Sequence, residues 1–240
     1  MSLFAVSIYY RLLHDLRVKQ AIFFSTAFPL LLFVLFTSIW GGSHDQEYNY
    51  RLLTGIVGAT LTSEGLYAIG AVVRTYFESK LIRFFRVTPV NITLHFLSIV
   101  ISRLIFLGVT ALALMLLAFF MYGLTLSLQQ MLFLGIGMIV GLTLFSALGL
   151  VISFADLKNK VSSGLVNFIY FILVFLSNAY YPLEVINPKL NQFANLLPVN
   201  HLLNLMRGTE LWYSTWYCVI AIVVLAGVFS LLFSRYQLTR

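Results

Sequence analysis

Apolar residues in this chain run in long stretches separated by short polar ones, without the one-face periodicity of helices on a water-soluble core. Six stretches qualify: 20–40, 52–73, 104–122, 132–154, 161–178 and 216–233, each between 18 and 23 residues long. A helix of that length crosses about 30 Å of hydrocarbon. The pattern therefore predicts an all-α integral membrane protein with six transmembrane helices. A membrane barrel is excluded because its segments of about ten alternating residues are missing. The first stretch contains Pro29 and has no small-x-small cleavage site before the polar run Gly41 to Glu47, so it is expected to stay as a helix and not to be removed as a signal peptide.

Three segments between the stretches do not read as simple loops. In residues 1–19, Leu3, Val6, Tyr10, Leu13 and Leu16 fall near one helical face and Arg11, His14, Asp15 and Arg17 mostly on the other. This predicts an amphipathic helix in the membrane interface, with its cations toward anionic headgroups; a positively charged anchor for the first span gives the same pattern. In residues 77–88, Phe77, Leu81, Phe84 and Phe85 have helical spacing, with Glu78, Lys80, Arg83 and Arg86 around them, and Thr88-Pro89 ends the helix. Such an aromatic ridge either docks into a groove of another protein or rests on the bilayer surface. The third segment, residues 182–210, holds three of the five prolines between short apolar pairs. It is too broken to span and too apolar to be solvated, which predicts two short helices re-entering the outer leaflet on either side of Pro198.

Composition and charge extend this picture. Of 240 residues, 60% are hydrophobic and only 10% charged, against about 25% charged in soluble domains; the mean hydropathy is +0.95. There are too few charges to cover a water-facing surface, so residues 1–240 read as one transmembrane domain. The formal net charge of +7 would point to nucleic acid in a soluble protein. Here its distribution gives orientation. With the N-terminus inside, Arg11, Arg17, Lys19, Arg74, Lys80, Arg83, Arg86, Arg103, Lys158, Lys160, Arg235 and Arg240 fall on the inner side, and only Arg51, Lys189 and Arg207 on the outer. That bias places both termini in the cytoplasm. It makes 74–103 and 155–160 cytoplasmic loops, and 41–51, 123–131 and 179–215 outer segments. The single cysteine, Cys218, excludes a disulfide framework within the chain.

The chain has no G-x-x-x-x-G-K-[ST] phosphate loop, no HExxH and no G-x-S-x-G elbow, and its four histidines are scattered. No catalytic, cofactor-binding or metal residue is predicted; work against a gradient would draw on another chain or on an ion gradient. Glu64 is the one carboxylate well inside a predicted span. It can pair with Arg103 near the inner end of the third span, line a polar cavity with Thr60, Thr62 and Ser63, or serve proton coupling. Gly137 and Gly141 form a GxxxG pair, and Gly55 with Ala59 a similar one, marking close helix approach.

The order of these parts, with YFESKLIRFFRVTPV after two spans and YYPLEVINPKLNQFANLLPVNHLLNLMRG before the last, resembles the type-2 ABC exporter permeases, and most closely their drug and antibiotic efflux branch. The resemblance implies a coupling helix from Phe77 to Thr88 that docks into a separate ATPase, carried by Phe77, Glu78, Leu81, Arg83, Phe84, Thr88 and Pro89. Lys80 stands where the family usually has glycine. The outer re-entrant motif falls on Tyr181, Pro182, Leu183 and Glu184, on Pro198, and on Arg207 with Gly208. The resemblance further implies two such chains as a homodimer in the cell (inner) membrane above two ATP-binding subunits that hold ATP and Mg. Its cargo would be hydrophobic or amphiphilic. Export of a lipid-linked glycan is the alternative within the family, and an ion-coupled carrier depending on Glu64 the alternative outside it.

Overall fold

The computed structural model describes residues 3–40, 45–79, 92–155 and 159–238. All regular structure among them is helical. Helix α1 is Leu3–Arg17; after one turn, α2 runs Phe23–Trp40 and α3 Gln46–Tyr76. Then come α4 (Ile92–Tyr122), α5 (Leu128–Phe154) and α6 (Asn159–Phe175). The outer segment contains the single turn α7 (Leu183–Ile186), α8 (Pro188–Ala194) and α9 (Pro198–Arg207), and α10 (Leu211–Leu238) closes the chain.

Among the described residues, five helices are long and apolar enough to cross a membrane: α2, α3, α5, Leu94–Tyr122 of α4 and Leu211–Ser234 of α10. The expected fifth span, 161–178, is the shorter α6, whose continuous apolar part is Gly164–Phe175. It stops early because Asn178 draws the chain into a turn: its Oδ1 accepts from the Leu183 N–H at 2.8 Å, and its own N–H donates to Asn200 Oδ1 at 2.8 Å.

Other boundaries also move for identifiable reasons. The third span was expected to begin at residue 104, just after a charge, but α4 starts at Ile92 and carries Arg103 as a buried interior residue. The inner segment expected at 74–103 is therefore helical at both ends. Helix α5 begins at Leu128 because Ser127 and Gln130 form a reciprocal cap, the Ser127 hydroxyl accepting from Gln130 N–H and the Gln130 side chain from Ser127 N–H.

Helix α3 is the axis of the bundle; Leu52, Leu53, Ile56, Leu61 and Leu66 are all at most 1% exposed. It meets α5 almost backbone to backbone. A Cβ on Gly70 would lie 2.5 Å from the Gly149 carbonyl carbon, and one on Gly65 2.6 Å from that of Phe145. The Gly137 and Gly141 pair on α5 accommodates more than a neighbouring span, although a Cβ on Gly141 would also lie 3.3 Å from Leu61 of α3. The pair admits the side chains of Met206 and Leu202 from α9, so this short helix is seated by a motif associated with span packing. Helix α10 lies outermost, with Val219, Ile220, Val223, Val224 and Leu231 exposed as a membrane-facing surface requires.

These contacts make a matched pair of substitutions informative. Gly70→Ala drives a methyl group into the α5 backbone and is expected to cost about 1–3 kcal/mol. Gly135→Ala meets nothing within 4 Å and is expected to leave stability unchanged or slightly raised. Thermal unfolding of the two detergent-purified variants compares them directly; equal effects would contradict the α3–α5 contact.

Candidate functional site

Two polar constructions interrupt the apolar bundle. The first centres on Arg103. Its Nη1 donates to Glu64 Oε2 of α3 at 3.1 Å and its Nη2 to Asp15 Oδ1 of α1 at 3.3 Å. Arg11 extends the row, with Nε 3.8 Å from the same Asp15 oxygen. At the other end the Ser25 hydroxyl of α2 donates to Glu64 Oε1 at 2.5 Å. Four helices are thus linked in series through side chains 3% to 8% exposed at Asp15, Glu64, Arg103 and Ser25.

The backbone adapts to this row. Ser25 lies inside a π-helical segment, Phe23–Ala27, and Glu64 opens another, Glu64–Gly70. A π turn widens the helix and leaves carbonyl groups without their usual partners. One of them, the Ser25 carbonyl, accepts from the Thr110 hydroxyl at 3.0 Å. The sequence pattern missed the orientation of α1. Its expected apolar face contributes exposed Tyr10 and Leu16, whereas Asp15 turns inward and Ser7 meets Ser98 of α4 at 2.9 Å. A polar stripe at positions 7, 11 and 15 faces protein, so Arg11 is tied to Asp15 instead of reaching only for headgroups.

Beside this row is a cavity of about 200 Å³ between α2, α3 and α6, lined at its polar end by Ser25, Thr60, Ser63 and Glu64. Thr62 does not reach it; its hydroxyl donates to the Gly58 carbonyl at 2.8 Å.

The second construction centres on Arg207. At the C-terminus of α9, its Nε donates to Thr54 Oγ1, and its Nη2 to the carbonyls of Arg51 and Asn178, each at 2.9 Å. The guanidinium thereby ties α9 to α3 and to the break after α6, and places a cation where the helix dipole favours one. Gly208 follows with φ of 76°, and a Cβ there would lie 2.7 Å from the Phe133 ring, so only glycine fits. Pro198 sits in the first turn of α9, preceded by an extended Leu197. Pro182 precedes the α7 turn, Tyr181 meets the Trp40 ring edge-on at 6.3 Å, Leu183 is buried and Glu184 exposed.

Sequence reasoning missed the asparagines of this region. Asn178 donates through its side chain to Asn191 at 3.0 Å, and Asn195 offers its backbone carbonyl to His201 Nε2 at 2.9 Å. The available signal was six asparagines from 178 to 204 in an otherwise apolar segment, a composition that supplies hydrogen bonds between membrane helices. The two short helices also differ in burial. Leu202 and Met206 of α9 are fully buried, while Leu190 and Phe193 of α8 are 40% and 48% exposed.

Phe77 and Glu78 form the end of the helix continuing from α3. Leu81, Arg83, Phe84, Thr88 and Pro89 lie outside the described residues.

With this geometry in place, the class is that of a multi-pass membrane permease component. The sequence matches the model of the ABC-2 type transporter family over residues 2–211, and the chain belongs to that family. Family membership implies work with ATP-binding ABC subunits. No curated protein matches the sequence.

The Arg207 fork yields a specific expectation. Lysine has one point-like donor group and cannot span three acceptors in the arginine geometry. Arg207→Lys is expected to lower stability by about 2 kcal/mol. Thr54→Val should cost less, and the double variant less than the sum; thermal unfolding of the three purified variants checks the coupling.

Proposed function

We propose that the chain is the transmembrane subunit of an ATP-driven exporter that moves a hydrophobic or amphiphilic molecule, such as a drug, antibiotic or lipid-like compound, out of the cytoplasm or inner leaflet. The observation that carries this reading is an ABC-2 match over most of a chain that has no phosphate-binding loop. Its energy then enters from another chain. Two copies facing each other above two ATP-binding subunits, in the cell membrane with all termini in the cytoplasm, complete the arrangement.

The architecture supports six crossings, with α6 as the fifth and α7 to α9 re-entering from outside. Lysine and arginine bias supports the orientation. In that frame Arg51 and Arg207 lie at the outer side, Glu64 near the middle, and Glu78 at the cytoplasmic end of one helix starting at Gln46. Closure of the ATP-binding subunits would push on residues 77–88. The helical rod above them carries that push to the Arg207 fork, and the Asp15–Arg103–Glu64 row makes α1 and α4 move with it. Such rigid-body movement of packed elements is how a site opens alternately to two sides.

A triple Phe77→Ala, Leu81→Ala, Phe84→Ala variant tests this. Buried aromatic anchors are worth about 2 kcal/mol or more each at an interface, so the variant is expected to lose its ATP-binding subunit on purification, or to hydrolyse ATP without transport. Unchanged ATP-driven transport would contradict the assignment. Transport that needs no ATP-binding subunit, follows a proton gradient and stops in Glu64→Gln would establish an ion-coupled carrier instead.

A further inference from the structure

The cavity between α2, α3 and α6 has the properties of a ligand site. Its volume of about 200 Å³ is below the roughly 300–1,000 Å³ of pockets for whole drug-sized molecules. It holds one ring system, or the ring-bearing end of a longer molecule. The rings of Phe24, Phe28, Tyr170 and Tyr180 supply its walls, and Ser63 and Glu64 lie at its polar end. Phe24 and Phe28 are also 64% and 40% exposed on the outer side of α2. The lining therefore continues to the membrane-facing surface, and a molecule dissolved in the bilayer enters sideways past α2.

The polar end sets the chemistry. Each Glu64 oxygen already accepts one hydrogen bond, from Ser25 and from Arg103. A carboxylate oxygen can accept two, so acceptor capacity remains. The hydroxyls of Ser63, Tyr170 and Tyr180 have no hydrogen-bond partner among the described residues. Charge is balanced along the row, with Arg11 and Arg103 against Asp15 and Glu64. There is no unpaired carboxylate to hold a cation, and in a membrane interior a charged ligand without a counter-charge is penalised. We infer that this cavity binds an uncharged, ring-bearing molecule that donates an O–H or N–H hydrogen bond to Glu64 while its ring packs among Phe24, Phe28, Tyr170 and Tyr180. The inference deepens the permease reading, on which the identification of that molecule as cargo rests; the binding itself does not depend on it.

The test uses the full chain in lipid nanodiscs, with a cysteine reporter in a Cys218→Ser background. Ala59→Cys lines the cavity, and Ser63→Cys serves as a second reporter should the first not fold. Leu112→Cys, at a position 56% exposed on α4, reports simple partition into the bilayer. Alkylation by N-ethylmaleimide is timed with three probes sharing one ring system: 1-naphthol, naphthalene and 1-naphthylmethylammonium. A hydrogen bond to a charged acceptor is worth about tenfold or more in affinity. Protection of the cavity cysteine by 1-naphthol is expected at concentrations about tenfold below those needed for either other probe, with no protection at Leu112→Cys. Equal protection by naphthalene would reduce the cavity to an apolar slot, preference for the ammonium would make it a cation site, and identical behaviour at Leu112→Cys would leave only partition; each overturns the inference. Protection in a chain that captures no ATP-binding subunit would leave the site standing and remove the permease reading. Capture of that subunit without protection would do the reverse.

Discussion

A guanidinium inside a helix that crosses a bilayer needs negative charge beside it, and Arg103 has two carboxylates within 3.3 Å, Glu64 and Asp15. An unpaired arginine at mid-membrane costs about 2.5–3.5 kcal/mol on insertion scales. Meeting that need fixes more than a side chain. Asp15 brings α1 against α4, Glu64 brings α3 against α4, and Ser25 brings α2 to the far side of Glu64. This end of the bundle is thus set by one row of charges, and the apolar contacts around it fill space that the row defines. The cavity with its single polar end is a consequence of the same placement.

Around α9 the constraint comes from the backbone. The chain leaves its helix after Phe175 and becomes regularly helical again over the length of α9, and every peptide group exposed by that break must find a partner. Asparagine side chains and the Arg207 fork provide them. Helix α9 can then be packed fully among α3, α5 and α10, with its small-residue seat on α5 at Gly137 and Gly141. The continuous α3 joins this firmly held helix to the far end of the bundle, which suits the proposed transmission of force between the two ends.

The five long apolar helices were legible in the sequence because length and apolarity are local properties. What stayed hidden depended on partners far along the chain. Arg103 read as the edge of a span because its charges are neutralised by residues 88 and 39 positions away. Asp15 read as part of a solvated face for the same reason. The glycine pair on α5 announced a close approach, but nothing nearby in sequence named α9 as the element approaching. Arg207 and Gly208 were recognisable as a motif, whereas their physical role, a three-acceptor fork and a left-handed helix end, needed the carbonyls of Arg51 and Asn178 and the ring of Phe133 in place. The end of α6 eluded pattern reading because a carboxamide, not a proline or glycine, breaks it.

The dependence of the inner bundle on charge compensation is measured most directly by comparing thermal unfolding of Arg103→Met with that of the triple variant Arg103→Met, Asp15→Asn, Glu64→Gln. Removing the cation alone leaves two carboxylates facing each other without it and is expected to cost about 3–5 kcal/mol. Neutralising all three leaves Arg11, whose side chain is 18% exposed, as the one remaining charge of that row, and the triple variant is expected to regain most of the loss. Additive destabilisation in the triple variant, or a single Arg103→Met substitution without effect, would contradict the account.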